Sequence, residues 1–265
     1  MMTTLTAGYA ALFLMMCVVW VLARERENAA VVDVAWGAGF FLFAGIAALR
    51  SGGADLRTGI LAAMIMLWSG RLALHLLYDR ILSGGPEDER YQEIRARWKT
   101  NLGVKFFLFF QLQAALIAAL SVPFVLVMNN PEPSLSWLEW AGIAAWCAAL
   151  AGESAADRQL ARFKADPANK GKVCRAGLWN YSRHPNYFFE WCTWIAFLLF
   201  ALPSPYGWTA AAGPLVMYVV LTRMTGIPLT EEHALRSRGS AYRAYQESTS
   251  PFIPWFPKSA GGHAR

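Results

Sequence analysis

Apolar runs of about bilayer length, parted by short polar segments, recur along this chain and leave little choice of fold. They cover Leu5–Ala23, Val31–Leu49, Gly59–Tyr78, Val104–Met128, Trp137–Gly152, Tyr187–Leu202 and Trp208–Leu221. About 20 apolar residues are needed to cross the hydrocarbon of a membrane as a helix. Buried in lipid, backbone N–H and C=O groups must find partners within their own segment, which favours helices. Only 16% of the residues are charged, against about 25% in a soluble domain. The expected fold is all-α: one polytopic integral membrane domain over residues 1–265, with about seven transmembrane helices. The first run has no basic leader and no clear small-residue cleavage site, so it reads as a retained span rather than a signal peptide.

Charge orients these spans. With the loops numbered alternately, 21 of the 24 Lys and Arg fall on one side. Arg50 and Arg57 fall on the other, and Arg71 lies inside the third span. The basic side belongs in the cytoplasm, which puts the N-terminus outside and the C-terminus inside. The net charge of +6 does not point to nucleic acid, because the basic residues sit between apolar spans rather than on one polar face. The four cysteines, Cys17, Cys147, Cys174 and Cys192, have neither metal nor redox spacing. No metal site is expected.

The densest polar chemistry lies in GLWNYSRHPNYFFE, residues 177–190. Tyr181, Arg183, His184, Asn186, Tyr187 and Glu190 crowd the start of an apolar helix, with Pro185 suited to its first turn. Asn186 and Glu190 are four apart and share a face. An Arg beside open helix N–H groups suits a phosphate or carboxylate; a basic collar anchoring the helix to anionic lipid is the plainer reading. Upstream, Asp157, Arg158, Arg162 and Lys164 suit a nucleotide's hydroxyls and phosphates, or form a solvated helix end. In the tail, Arg223, Glu231, Tyr242 and Tyr245 precede the Pro-flanked anchor Pro251–Trp255. That tail reads as a ligand lid or as a surface helix. Segments 153–190 and 223–258 are thus the expected cytoplasmic cofactor elements. Residues 83–99 read as an amphipathic surface segment or a solvated connector.

Ionisable groups within spans are costly and usually partnered or functional. Asp33 sits in the second span; Arg71 and His75 sit in the third, with Tyr78 three residues on. Asp33 either pairs with Arg71 or, like Tyr78, serves as a proton donor to a lipid-like substrate. His75 is a catalytic candidate or a helix-packing residue. The chain lacks both a Gly-x-Gly-x-x-Gly fingerprint after a strand and a P-loop.

VVDVAWG, LWSGRLALHLLYDR, GLWNYSRHPNYFFEW and SPFIPWFPK together resemble the steroid 5-alpha-reductase and sterol-reductase superfamily, most of all its bacterial DUF1295 group. The resemblance implies NADPH held between cytoplasmic half-helices and loops. It further implies reduction of an activated carbon–carbon double bond in a steroid-like or other lipid entering from the bilayer. It implies that Asn186 and Glu190 contact the nicotinamide end, that Asp157 contacts the nucleotide and that Lys164 pairs with a phosphate; Arg223 and Tyr245 match more loosely. It departs in the second span, where the superfamily's Gln-Glu pair is absent, and after Arg223, where TGIPLTEE replaces a His-rich step. The Arg-His-Pro-x-Tyr step and the tail EEHALRSRGSAYRAY are also similar to the isoprenylcysteine carboxyl methyltransferases. That likeness implies S-adenosylmethionine, its carboxylate on Arg183. A multi-pass, monomeric protein of the bacterial inner membrane is the expectation, with a reductase preferred.

Overall fold

A computed structural model describes residues 1–51, 55–84, 86–224 and 226–258, and the described residues are helical with no strand. The chain divides into two compact units. The first comprises Met1–Ser136 with Ala201–Ala210, and the second Trp137–Phe200 with the remainder from Ala211.

The first unit is built from the helices α1 (Met2–Glu25), α2 (Val31–Arg50), α3 (Leu56–Leu77), α4 (Glu89–Arg97) and α5 (Leu102–Met128). α2 packs on α1, α3 and α5, and α1 also packs on α5. Their core is Leu12, Met16, Phe40, Phe43, Ile65, Trp68 and Phe110, all at most 1% exposed. Small residues permit the approach: a Cβ on Gly37 would stand 2.9 Å from the Ala73 nitrogen and the Ser69 carbonyl oxygen. Local chemistry starts and stops the helices. Asp55 caps α3 by accepting from the Thr58 amide at 2.8 Å, and Asp88 caps α4 by accepting from the Arg90 amide at 3.0 Å. Beyond α3 the backbone widens into a π-helical turn over Tyr78–Leu82. Asn130 donates to Ser204 at 2.9 Å, which ties the 201–210 segment to this unit.

The second unit holds α6 (Trp137–Ala165), α7 (Pro185–Ala201), α8 (Ala212–Val219), α9 (Ile227–Arg238) and α10 (Ser240–Ser248). α6 and α7 run antiparallel, since Gly142 meets the backbone at Ala196 and Phe200 while Gly152 meets the Phe189 ring. A second π-helical turn, Val220–Met224, follows α8. The hinge between α9 and α10 is Gly239, whose φ of +53° suits glycine.

Among the described residues, five stretches are long and apolar enough to cross a membrane: α1, α2, Leu56–Leu82, α5 and one within Gly207–Ser248. The apolar part of the last ends near Leu221, before the polar α9 and α10. The seven expected segments all fall on helices, but α6 and α7 do not meet that standard. α7 has 17 residues. α6 has 29 but carries Glu139, Glu153 and Asp157 among its apolar residues.

Glycines in α2 give a test of this packing. Gly37→Ala should lower the thermal midpoint in detergent, because its new methyl meets backbone and overpacking costs about 1–3 kcal/mol. Gly45→Ala meets nothing within 4 Å and should hold or raise the midpoint, since alanine favours a helix by up to about 1 kcal/mol.

Candidate functional site

The polar cluster of the second unit is assembled from α6, the 177–190 segment and the tail. The turn at Gly177–Asn180 is pinned to α6: the Leu178 amide donates to Gln159 Oε1 at 2.9 Å and the Trp179 indole to the Ala156 carbonyl at 2.9 Å. Gly177 is required there, with a φ of +58° and the Gln159 side chain in the space a Cβ would fill. Ser182 and Ser250 then form an isolated parallel bridge. The Arg183 amide donates to the Ser250 carbonyl at 2.8 Å, and the Ser182 hydroxyl to the Phe252 carbonyl at 2.7 Å. Tyr245 donates its hydroxyl to the Trp179 carbonyl, with a longer contact to that of Ser182 at 3.3 Å. Tyr242 and Tyr245 are buried together with Ala234 against Val173 and Leu235. The tail is thus docked on the Arg-His-Pro step.

Glu231 is the hub. It accepts from Arg183 Nε at 2.6 Å and from Gln246 Nε2 at 2.8 Å, and lies 3.3 Å from His184 Nε2. Arg183 Nη1 donates to the Gln246 and Thr249 carbonyls at 2.9 and 2.6 Å. Expected to receive a phosphate or carboxylate, Arg183 instead spends these donors inside the protein, because the tail returns to it. It is 8% exposed and His184 3% exposed. The His184 ring stacks on Tyr187, centroids 5.4 Å apart. Burial lowers the His184 pKa, Glu231 opposes that and Arg183 adds to it. Burial alone would raise the Glu231 pKa, but hydrogen bonds from His184, Arg183 and Gln246 outweigh it and bring the carboxyl down to about 2.

One helical step beyond this hub, Asn186 Nδ2 donates to Asp157 Oδ1 at 3.3 Å, joining the two motifs from α7 and α6. A turn further along α7, Glu190 is buried and accepts from the Trp194 indole at 3.1 Å. Tyr187 contacts Thr230 at 3.3 Å. Arg158, Arg162 and Lys164 are exposed on the last turns of α6, and among the described residues none of them is ion-paired. Tyr181 and Arg223 are exposed as well. Amide, carboxylate and exposed cationic groups thus lie close together here, the kinds of group that bond hydroxyls and phosphates.

The catalytic candidates lie in the first unit. Asp33 is not partnered as expected: Arg90 Nη2 donates to its Oδ2 and the Tyr91 hydroxyl to its Oδ1, each at 2.6 Å. The amphipathic segment 89–97 folds back as α4 and supplies both donors, which the Asp33–Arg71 expectation overlooked. Burial and the neighbouring Asp33 carboxylate push the Tyr91 pKa well above its usual value. His75 and Tyr78 are both exposed, Tyr78 at 70%. Among the described residues no group of three or more His, Cys, Asp or Glu is placed to hold a metal ion.

This chain belongs to the family described as Protein of unknown function (DUF1295), which it matches over residues 19–249. It is similar to an uncharacterized protein of Schizosaccharomyces pombe, with 27% identity over 97% of this chain and 80% of the yeast protein. No solved structure matches it.

Two measurements test the hub. Glu231→Gln should destabilise the chain by about 3 kcal/mol or more, since it leaves Arg183 buried without its anion. The second is the pH dependence of the thermal midpoint. The folded chain resists protonating His184, whereas the unfolded chain takes up a proton near 6.5. That contribution is therefore full above 6.5 and declines as pH falls below it. The Glu231 contribution is full above 4.5 and is lost as pH falls toward 2. Between pH 7 and 5 the midpoint should drop, and His184→Phe, which keeps a ring against Tyr187, should flatten the drop. Equal slopes in the two proteins would refute the assignment to His184.

Proposed function

We propose that this protein is a multi-pass membrane enzyme that uses NADPH to reduce an activated carbon–carbon double bond in a steroid-like or other lipid substrate. The observation that supports it best is the contact between Asp157 and Asn186. These residues lie 29 positions apart, the sequence assigns both to the cofactor, and they meet at the polar end of two antiparallel helices. The proposal keeps seven crossings, with α6 and α7 as short, half-polar ones, and places segments 153–190 and 223–258 at the cytoplasmic face of a bacterial inner membrane. The lipid enters sideways from the bilayer, and the protein acts as a monomer.

A bound nicotinamide cofactor supplies the hydride. Asp157 fixes the amide of Asn186, and Trp194 fixes the carboxyl of Glu190, so two polar groups on one face of α7 are held in set orientations for the nicotinamide end. Arg162 and Lys164 neutralise phosphates. Arg183, His184, Glu231, Tyr242 and Tyr245 hold the tail against the start of α7. The substrate's double bond gains hydride at its β carbon and a proton at its α carbon, and a hydrogen bond to its carbonyl stabilises the enolate between those steps. Of the two acid candidates, Tyr78 has an exposed side chain, whereas the oxygens of Asp33 already accept from Arg90 and Tyr91.

The methyltransferase reading placed the carboxylate of S-adenosylmethionine on Arg183, whose Nε and Nη1 are engaged by Glu231 and the tail. It therefore stands as an outcome of the test. Detergent-purified protein titrated with NADPH, NADH and S-adenosylmethionine should show saturable binding of NADPH. Asn186→Ala or Asp157→Ala should weaken that binding about 10-fold, the worth of a hydrogen bond to a charged partner. Saturable binding of S-adenosylmethionine alone would overturn the reductase reading.

A further inference from the structure

At the end of α1 the chain makes a sharp exit. Glu27 adopts a φ of +49°, uncommon for a residue with a side chain, and the Asn28 amide returns to the Ala23 carbonyl at 3.1 Å. Beside this exit lies a pocket of about 590 Å³, open mouth included, lined by Trp20, Arg24, Glu27, Arg95, Phe106 and the first residues of α5. It plays no part in the reaction proposed above.

The pocket wall is built. The Trp20 indole donates to the Gly103 carbonyl at 2.8 Å, joining α1 to α5. Arg95 lies 4.9 Å from the centre of the Phe106 ring and is held by Glu87 at 2.8 Å, while Glu87 also accepts from the Ala29 amide at 2.6 Å. Arg95 and Glu87 therefore satisfy each other. Arg24 and Glu27 differ. Arg24 lies 5.0 Å from the centre of the Trp20 ring, both side chains are exposed, and among the described residues neither is ion-paired. One cation and one anion, each with charge to offer, thus line the same recess. Asn101 provides no side-chain cap to α5, which favours an anion on the same side as Arg24.

Both α1 and α5 are long and apolar enough to cross a membrane, so their joined ends stand at headgroup level. There a phosphate and an ammonium group on one small molecule are abundant. We propose that this pocket binds the headgroup of a phospholipid carrying a primary ammonium, with the phosphate on Arg24 and the ammonium on Glu27. An anionic lipid with no ammonium would meet Glu27 unfavourably. A trimethylated ammonium can donate no hydrogen bond to it.

The test uses full-length protein in detergent, incubated with phosphatidylethanolamine, phosphatidylcholine or phosphatidylglycerol, or with soluble glycerophosphoethanolamine, and reads bound ligand by native mass spectrometry. Phosphatidylethanolamine should be retained in preference to the other two lipids, and the soluble headgroup should bind far more weakly than the lipid. Arg24→Gln should reduce retention about five-fold, the worth of one basic side chain at a membrane surface. Glu27→Gln should erase the preference for phosphatidylethanolamine over phosphatidylglycerol while keeping phosphate binding. Both side chains are exposed, so the midpoint of lipid-free protein should not move, and Arg24→Lys should restore most of the retention. Equal retention of all three lipids, an unchanged preference in Glu27→Gln, or soluble headgroup binding as tight as lipid would overturn the proposal.

Discussion

In the interior of a bilayer a peptide group has no solvent to bond, and this constraint suits the long apolar helices of the chain. It explains why the described residues are helical and why charged side chains gather at helix ends and connectors. It also explains why several charged groups away from water come with partners of their own. Asp33 has Arg90 and Tyr91, Glu190 has Trp194, and Arg57 reaches the carbonyls of Glu132 and Ser134. Where helices must approach closely, glycine does the work, as at Gly37 against Ala73 and Gly142 against Phe200.

The two units use charge differently. In the first, α4 returns to cover the loop end of α2, and its Arg90 and Tyr91 satisfy a carboxylate that would otherwise be stranded. In the second, a single carboxylate, Glu231, organises a cation, an imidazole and an amide drawn from separate parts of the chain. That arrangement makes the Arg-His-Pro step a joint rather than an open anion site. It leaves Asp157, Asn186 and the exposed cations of α6 as the neighbouring polar groups outside that joint.

Helix positions were legible because hydropathy is local. The run expected at Val104–Met128 is α5 from Leu102, and Pro185 opens α7 as its ring geometry requires. The amphipathic segment was legible as a helix but not as the partner of Asp33, since a pattern of charges does not say which face will find a residue 57 positions back. Arg183 was misleading for a related reason. Its spacing is that of an anion ligand, and nothing in the spacing reveals that the carbonyls of Gln246 and Thr249 will be brought to it. Both π-helical turns, at Tyr78–Leu82 and Val220–Met224, follow apolar helices whose composition gives no sign of them. Tyr242 and Tyr245, three apart, share a face that is buried, and the sequence alone does not say what it packs on.

The bridge between Ser182 and Ser250 bears on how the protein is made. Residues 183–184 leave the ribosome well before Glu231, Gln246 and Thr249, so for an interval the nascent chain holds a guanidinium whose intended partners do not yet exist. During that interval water must serve Arg183, and the start of α7 stays accessible from the aqueous side. Synthesis of the tail closes that period, when the Glu231 carboxylate and the carbonyls of Gln246 and Thr249 reach Arg183.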